Sequence, residues 1–211
     1  MTLAGKHILV TAGPTHEPID PVRVIANRSS GRQGFAVAAA AADAGATVTL
    51  IAGPVSLETP PRVQRIDVET AEEMAEAVFA ALPADAAVLV AAVADWKVEP
   101  SSNKLKKSAG PPQLKFLPTR DILAELSASD RRPELVVGFA AETERVVEQA
   151  IAKQISKGAD WIVANDVSGD VMGGERNRVH LFTSDGVEDW PEATKGEIAR
   201  QLVERIGATL R

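Results

Sequence analysis

At 211 residues the chain is long enough to bury one substantial core, and its 45% hydrophobic and 25% charged residues exclude a disordered or fibrous class. A net charge of −6 argues against a general nucleic-acid binder, and the lack of cysteine excludes disulfides, thiolate metal sites and a cysteine nucleophile, which fits a reducing, cytoplasmic compartment. Met1 to Lys6 has no signal-peptide apolar run and no stretch approaches the ~20 apolar residues of a membrane span, so neither export nor a membrane partner is expected.

In chain order, the β-branched run of "KHILVTAG" predicts a strand, followed after a long loop by a helix in "SSGRQGFAVAAAAADAGA" that closes at Gly45. "TVTLIAGP" and "VQRIDV" predict two more strands, and Thr70 to Leu82 a helix opened by a Thr70/Glu73 capping box. "AAVLVAAVAD" is apolar throughout, as expected of a strand covered on both faces. Residues 96–118 break this rhythm with four prolines and a basic cluster, which predicts a protruding flap with room for two short strands. A short helix from Asp121, a strand in "LVVGFAAE", a helix from about Thr143 to Lys157 and a strand in "DWIVAND" restore the alternation. The tail predicts a β-hairpin turning at Asp185–Gly186 and a closing helix from Thr194. The expectation is one α/β domain over 1–211: a doubly wound, mostly parallel sheet with a flap and a C-terminal β-hairpin. Ligands of such sheets bind beyond the carboxyl ends of the strands, so the functional loops are expected at Gly13 to Gly34, Asp95 to Asn103, from Glu142 onward, and at Asn165 to Asn177.

Several groups in those loops suit an anion. Ser29, Ser30, Gly31 and Gly34 would let backbone N–H groups approach one at a positive helix end, with Arg23 and Arg28 adding charge, although a capped helix with packing glycines fits the same residues. "GPTHEPIDPVR" is not GxGxxG, and the second strand ends in Ala52–Gly53 where a ribose-binding acid is usual, which leaves an NAD(P)-dependent reductase as a minor alternative. Lys104, Lys106 and Lys107 of "NKLKK" read as a phosphate-seeking arm or as a solvated charge run. Lys153 and Lys157 lie four apart on one helix face, where like charges repel and a polyphosphate would reverse the penalty. Asp95, Asn165 and Asp166 end strands and suit either ligand contacts or turn formation. His7, His16 and His180 show no metal spacing, and Trp96, Trp161 and Trp190 read as packing residues.

Five segments taken together are more specific: "VTAGPTHEPIDPVRVIANRSSGRQG", "AAVADW", "KLKK", "VGFAAET" and "IVANDVS". In that order, from about Lys6 to the closing helix, they resemble phosphopantothenoylcysteine synthetase, the phosphopantothenate-cysteine ligase of coenzyme A biosynthesis. The resemblance implies a Rossmann-like homodimer that joins 4'-phosphopantothenate to L-cysteine. The substrate carboxylate attacks the nucleotide α-phosphate with loss of pyrophosphate, and the amine of cysteine then attacks the acyl carbon. It further implies CTP as co-substrate, where eukaryotic relatives commonly use ATP, and Mg²⁺ to offset triphosphate charge. A fused or separate flavin-dependent decarboxylase is an implied partner, because many bacteria carry both activities in one chain. By motif, Asn27 resembles the asparagine that binds the acyl intermediate, Arg23 a neighbour that orients it, and Lys104 the flap lysine of the first step. Ala91, Asp95, Asp121, Ile122, Phe139, Lys153 and Lys157 resemble nucleotide contacts, and Ser29, Ser30, Gly31 and Gly34 would hold the acyl substrate. One departure bears on base choice: the family's "NPDIL" is here "TRDIL", with Thr119 and Arg120 replacing Asn and Pro. A catalytically silent nucleotide-binding module is the further alternative.

Overall fold

The computed structural model describes residues 2–142, 145–166 and 176–210, with backbone only at 109, 141, 142, 146 and 166. Its strands and helices run β1 (His7–Ala12), β2 (His16–Asp20), β3 (Arg23–Ala26), α1 (Arg32–Asp43), β4 (Thr47–Ala52), β5 (Val63–Asp67), α2 (Ala71–Ala80) and β6 (Ala86–Leu89). They continue with β7 (Trp96–Val98), β8 (Phe116–Pro118), α3 (Ile122–Ser127), β9 (Leu135–Glu142), α4 (Val146–Lys157), β10 (Trp161–Asp166), β11 (Arg176–Thr183), β12 (Gly186–Thr194) and α5 (Lys195–Thr209). The main sheet has eight strands in the order β12-β11-β10-β9-β6-β1-β4-β5. Every neighbouring pair from β5 to β10 is parallel, and β11 and β12 add an antiparallel edge. After β1 the chain adds β4 and β5 on one side and then crosses to add β6, β9 and β10 on the other, so the switch point lies between β1 and β6. This is the doubly wound, Rossmann-like sheet expected.

The apolar periodicity explains both covering layers. Phe35, Val37, Ala38 and Ala41 of α1 pack with Ile198, Leu202 and Ile206 of α5 on one face, while Met74, Ala75 and Val78 of α2 pack with Leu123 and Leu126 of α3 on the other. Gly34 is required by contact: a Cβ there would stand 2.5 Å from the Cβ of Ala12, so only glycine lets α1 approach the end of β1 this closely. The Thr70/Glu73 capping box forms in both directions, and a second one, Thr194/Glu197, opens α5.

Three expectations are corrected. The long loop after β1 contains the β2–β3 hairpin, which Pro18 in "HEPID" disguises. Buried Glu17 of that hairpin accepts a hydrogen bond from Ala71 N (2.8 Å), fixing the hairpin to the positive end of α2. The apolar run "AAVLVAAVAD" is strand only to Leu89; beyond it the chain leaves the sheet to bond sideways to the segment after β1. Trp161 and Trp190 are buried as expected, but Trp96, on the first flap strand, is 54% exposed. The expected flap strands form as β7 and β8, antiparallel to one another. Thr143 and Glu144, expected to begin the fourth helix, lie outside the described residues, as do Val167 and Ser168 of "ANDVS".

Candidate active site

Loops that follow β1, β6 and β8 meet at the switch point. The segment after β6 is held by the one after β1: Ala91 N donates to Thr11 Oγ1 (3.2 Å), Ala94 N to the buried Thr15 Oγ1 (3.0 Å), and Ala92 N to Gly13 O (2.9 Å). Gly13 sits at φ 80°, and Gly53 lies so close to Pro14 O that a Cβ would approach it to 1.7 Å. These contacts fix the backbone of Val90 to Asp95 before any ligand arrives.

Around that segment lies a cleft of about 740 Å³, within the size range of small-molecule sites. It is lined by Asn27, Ser29, Ser30, Gly31 and Gly34 from the entrance to α1, by Ala91 and Asp95 after β6, by Asp121 and Ile122 opening α3, by Phe139 of β9, by Lys153 and Lys157 of α4, and by Asn165 of β10. Twelve of the fourteen residues proposed for catalysis or ligand binding from sequence thus meet in one cavity. Asp166 closes β10 next to Asn165, with only its backbone described.

The exceptions are Arg23 and Lys104. Arg23 ion-pairs with Asp20 (2.5 Å) and donates to Leu105 O (2.9 Å), while Leu105 N donates to Asp20 Oδ2 (3.1 Å). The Arg23 guanidinium, partly opposed by burial, holds the Asp20 carboxyl well below the usual carboxylate range. Within one chain, therefore, Arg23 grips the flap residue next to Lys104 and does not line the cleft, and Lys104 is exposed outside it.

Among the described residues the lining carries six cations, Arg28, Arg32, Arg120, Lys153, Lys157 and Lys195, against the carboxylates Asp95 and Asp121, in a chain of net charge −6. The charge is concentrated by design of the fold, and it suits a polyanion. Asn27 Nδ2 donates to Val93 O (2.9 Å), which orients the amide across the cleft entrance. Lys153 Nζ donates to Phe139 O (2.8 Å). Asp121 caps α3 through Ala124 N (3.1 Å) and pairs through its other oxygen with Lys157.

Residues 3–210 match the model of the family described as the DNA/pantothenate metabolism flavoprotein C-terminal domain. The chain belongs to that family. The bifunctional coenzyme A biosynthesis protein CoaBC of Escherichia coli strain K12 is 47% identical over 212 residues, covering 97% of this chain and 52% of the relative. CoaBC of Bacillus subtilis strain 168 is 41% identical, covering 98% and 52%. The crystal structure of a CoaBC C-terminal domain superposes with a TM-score of 0.83 at 39% identity, over 99% of this chain and 97% of that one. The chain thus spans about half the length of the curated relatives it matches.

Seen as a flavoprotein C-terminal domain, the "TRDIL" departure has a local account. Thr119 bonds the fixed loop twice, through its N–H to Asp95 O (3.1 Å) and its hydroxyl to Ala94 O (2.5 Å). Arg120 bonds Glu125 through Nε (3.0 Å) and Glu72 through Nη1 (3.1 Å), and lies over the Phe79 ring, 5.6 Å from its centroid. Hydrogen bonds to Glu125, more than the opposing effect of burial, raise the Arg120 guanidinium above its ordinary range. Side-chain ties here do what a proline does by ring closure in the family motif.

Sequence reasoning missed Arg32, Asn177 and Lys195 as lining residues. Arg32 lay inside a quoted motif, and Lys195 directly follows a helix cap. Asn177 marked the end of an expected functional loop without being singled out, because only the pairing of β11 with β12 brings it beside the cleft. Among the described residues no three His, Cys, Asp or Glu side chains form a metal site, and Asp121 is already committed to α3 and Lys157. A magnesium site made by protein alone does not fit this cleft. No helix among the described residues is long and apolar enough to cross a membrane.

Proposed function

We propose that the domain is a cytoplasmic phosphopantothenate-cysteine ligase that joins 4'-phosphopantothenate to L-cysteine at the expense of CTP, through an acyl-cytidylate. The observation that carries this reading is the meeting, in one cationic cleft at the switch point, of the loops whose sequence resembles that ligase. Kinship with CoaBC proteins supports it.

In the first step the substrate carboxylate attacks the α-phosphorus and pyrophosphate leaves. Charge grows on the phosphoryl oxygens, and preplaced cations stabilise that charge without reorganisation. Lys153 and Lys157 stand within the cleft for this, and Lys104 would join them when the flap closes. In the second step the neutral amine of cysteine attacks the acyl carbon and CMP leaves. Asn27, held by Val93 O, is placed to hydrogen-bond the acyl phosphate without adding charge. Mg²⁺ would enter on the triphosphate, which supplies the oxygens the cleft does not.

The reading extends to a homodimer. Val22 and Val24 on one hairpin and Trp96, Phe116 and Leu117 on the flap strands are exposed large hydrophobics on neighbouring elements, more than an isolated surface needs. A second copy covering them would place Arg23 and the flap at a shared boundary. Val22→Asp should convert the dimer to monomer in sedimentation, and a monomeric wild type would refute this part.

The deciding experiment incubates the protein with Mg²⁺, 4'-phosphopantothenate and L-cysteine, following CMP and pyrophosphate with CTP and AMP and pyrophosphate with ATP. Turnover with CTP alone supports the proposal. Turnover with ATP keeps the ligase and overturns the nucleotide. Nucleotide binding without turnover would leave a silent module.

A further inference from the structure

The loop that follows β4, "GPVSLETPPR" over residues 53–62, carries three prolines and forms neither helix nor strand. Proline has no N–H to donate, so such a loop is held largely by groups outside its own backbone. Among the described residues Gly53 N donates to Ala12 O (2.9 Å) at its start and Val63 N to Pro60 O (3.3 Å) at its end, with no backbone-to-backbone bond between them. Arg65 of β5 supplies what is missing. Its Nη1 donates to Leu57 O (2.6 Å) and its Nη2 to Val55 O (3.3 Å), while Nε donates to Asp67 Oδ1 (2.7 Å). The guanidinium also lies over the ring of Phe35 in the first turn of α1, 5.2 Å from its centroid. Its side chain is 17% exposed and its charge is met by Asp67, so Arg65 clasps elements together and does not await an anion. A lysine ammonium cannot reproduce this, because the planar fork serves two carbonyls, a carboxylate and a ring face at once.

The clasped loop bears on the site. Pro54 to Leu57 form, with Ser29, Ser30 and Arg32, a recess beside the cleft that shares those last three residues with it, whereas Arg65 itself lines neither. Val55 stands over the two positive-φ glycines at the ends of the β1–α1 connection. A Cβ built on Gly31 would meet Val55 Cγ1 at 3.1 Å and Gly13 Cα at 3.5 Å, and one on Gly13 would meet the same methyl at 3.2 Å. Both glycine backbones are thus packed under one isopropyl group. Gly31 N donates to Ser29 Oγ (3.3 Å), so the turn into α1 is held from within by that bond and from outside by Val55. Glycine has the widest choice of backbone angles, and without Val55 in place Gly31 is free to leave this conformation.

We propose that Arg65 is a positioning residue for the acyl-substrate side of the site. Acting through Val55, it keeps Gly31 and Gly13 packed so that the Ser29–Gly31 turn meets the substrate already formed. This rests on the ligase reading above, in which Ser29, Ser30, Gly31 and Gly34 hold the acyl substrate and the nucleotide contacts gather on α3, β9 and α4.

The test measures KM for each substrate in Arg65→Met, which keeps the stem and loses the donors, and in Val55→Ala, which keeps Arg65 and loses the methyls over the glycines. Arg65→Met should raise the KM for 4'-phosphopantothenate about 10-fold and leave that for CTP within about 2-fold; Val55→Ala should raise the first about 5-fold with the same selectivity. Because both act through one contact, the double variant should stay near 10-fold and fall well short of the roughly 50-fold product. Arg65→Lys, which retains a cation beside Asp67, guards against misfolding and should still show about a 5-fold rise for the acyl substrate alone. KM values for both substrates rising in proportion, or a lower melting temperature with neither KM changed, would make Arg65 a general scaffold residue and overturn the proposal; so would effects at the two positions that multiply. Calorimetric titration of the intact chain with 4'-phosphopantothenate separates this from the ligase reading. Binding weakened by both single variants in a protein without turnover would sustain the positioning role and defeat the ligase, whereas turnover with binding indifferent to both would do the reverse.

Discussion

The two ends of the cleft solve the same electrostatic problem differently. On the α3 side, cations are neutralised within the protein: Arg120 spans Glu72 and Glu125, and Lys157 holds Asp121. On the α1/α5 side, Arg32 and Lys195 have no such partners among the described residues, and the backbone cap of α1 has no side-chain bond. A neutralised cation positions a loop, whereas an unneutralised one awaits an anion.

If that contrast holds, variants should separate along it. The largest effect is expected where the two ends join, at Asn27. Asn27→Asp should leave pyrophosphate release within a few-fold and slow amide formation about 1,000-fold, because an anion there repels the acyl phosphate; equal loss of both steps in a rapid-quench experiment would remove Asn27 from the second step. Lys104→Gln should slow the pyrophosphate burst about 100-fold and spare the reaction of preformed intermediate. An unchanged burst would show that the flap lysine never reaches the phosphates.

Arg120 tests the neutralised end. Arg120→Ala should raise the KM for nucleotide about 10-fold by loosening the loop, and Arg120→Pro, restoring the family residue, should recover most of it. Failure of proline to rescue would mean that Arg120 meets the nucleotide directly. The smallest effect is expected at Asp20, which grips the flap without lining the cleft. Its depressed carboxyl keeps the Arg23 pair intact above about pH 4, and the contribution is lost only as pH falls further into the acid range. The protection factor of the Leu105 amide should therefore be constant in the wild type from neutral pH to about 5, and uniformly lower in Asp20→Asn, with the first step slowed about 3-fold. Leu105 exchange equal in both proteins would show that the tether does not form.

Much of this was written in the chain. The Thr70/Glu73 capping box and the β-branched runs located most elements, because helix starts and buried strands depend on neighbours a few residues away. The short Pro18 hairpin escaped, since its stability comes from Glu17 bonding to α2, 54 residues distant. Ordered motifs named twelve lining residues, all but Phe139 of β9 on loops that follow strands or on the helices those loops open.

The sequence alone determined the fold class and the family, and it pointed to an anionic ligand, because periodicity, motif order and local charge are properties of neighbouring residues. Only the tertiary structure decided which cations are already paired, that Arg23 serves the flap within its own chain, and that Lys195 and Asn177 join Arg32. Charge balance depends on distances across the sheet and on what burial takes away from water, and neither is visible along the chain.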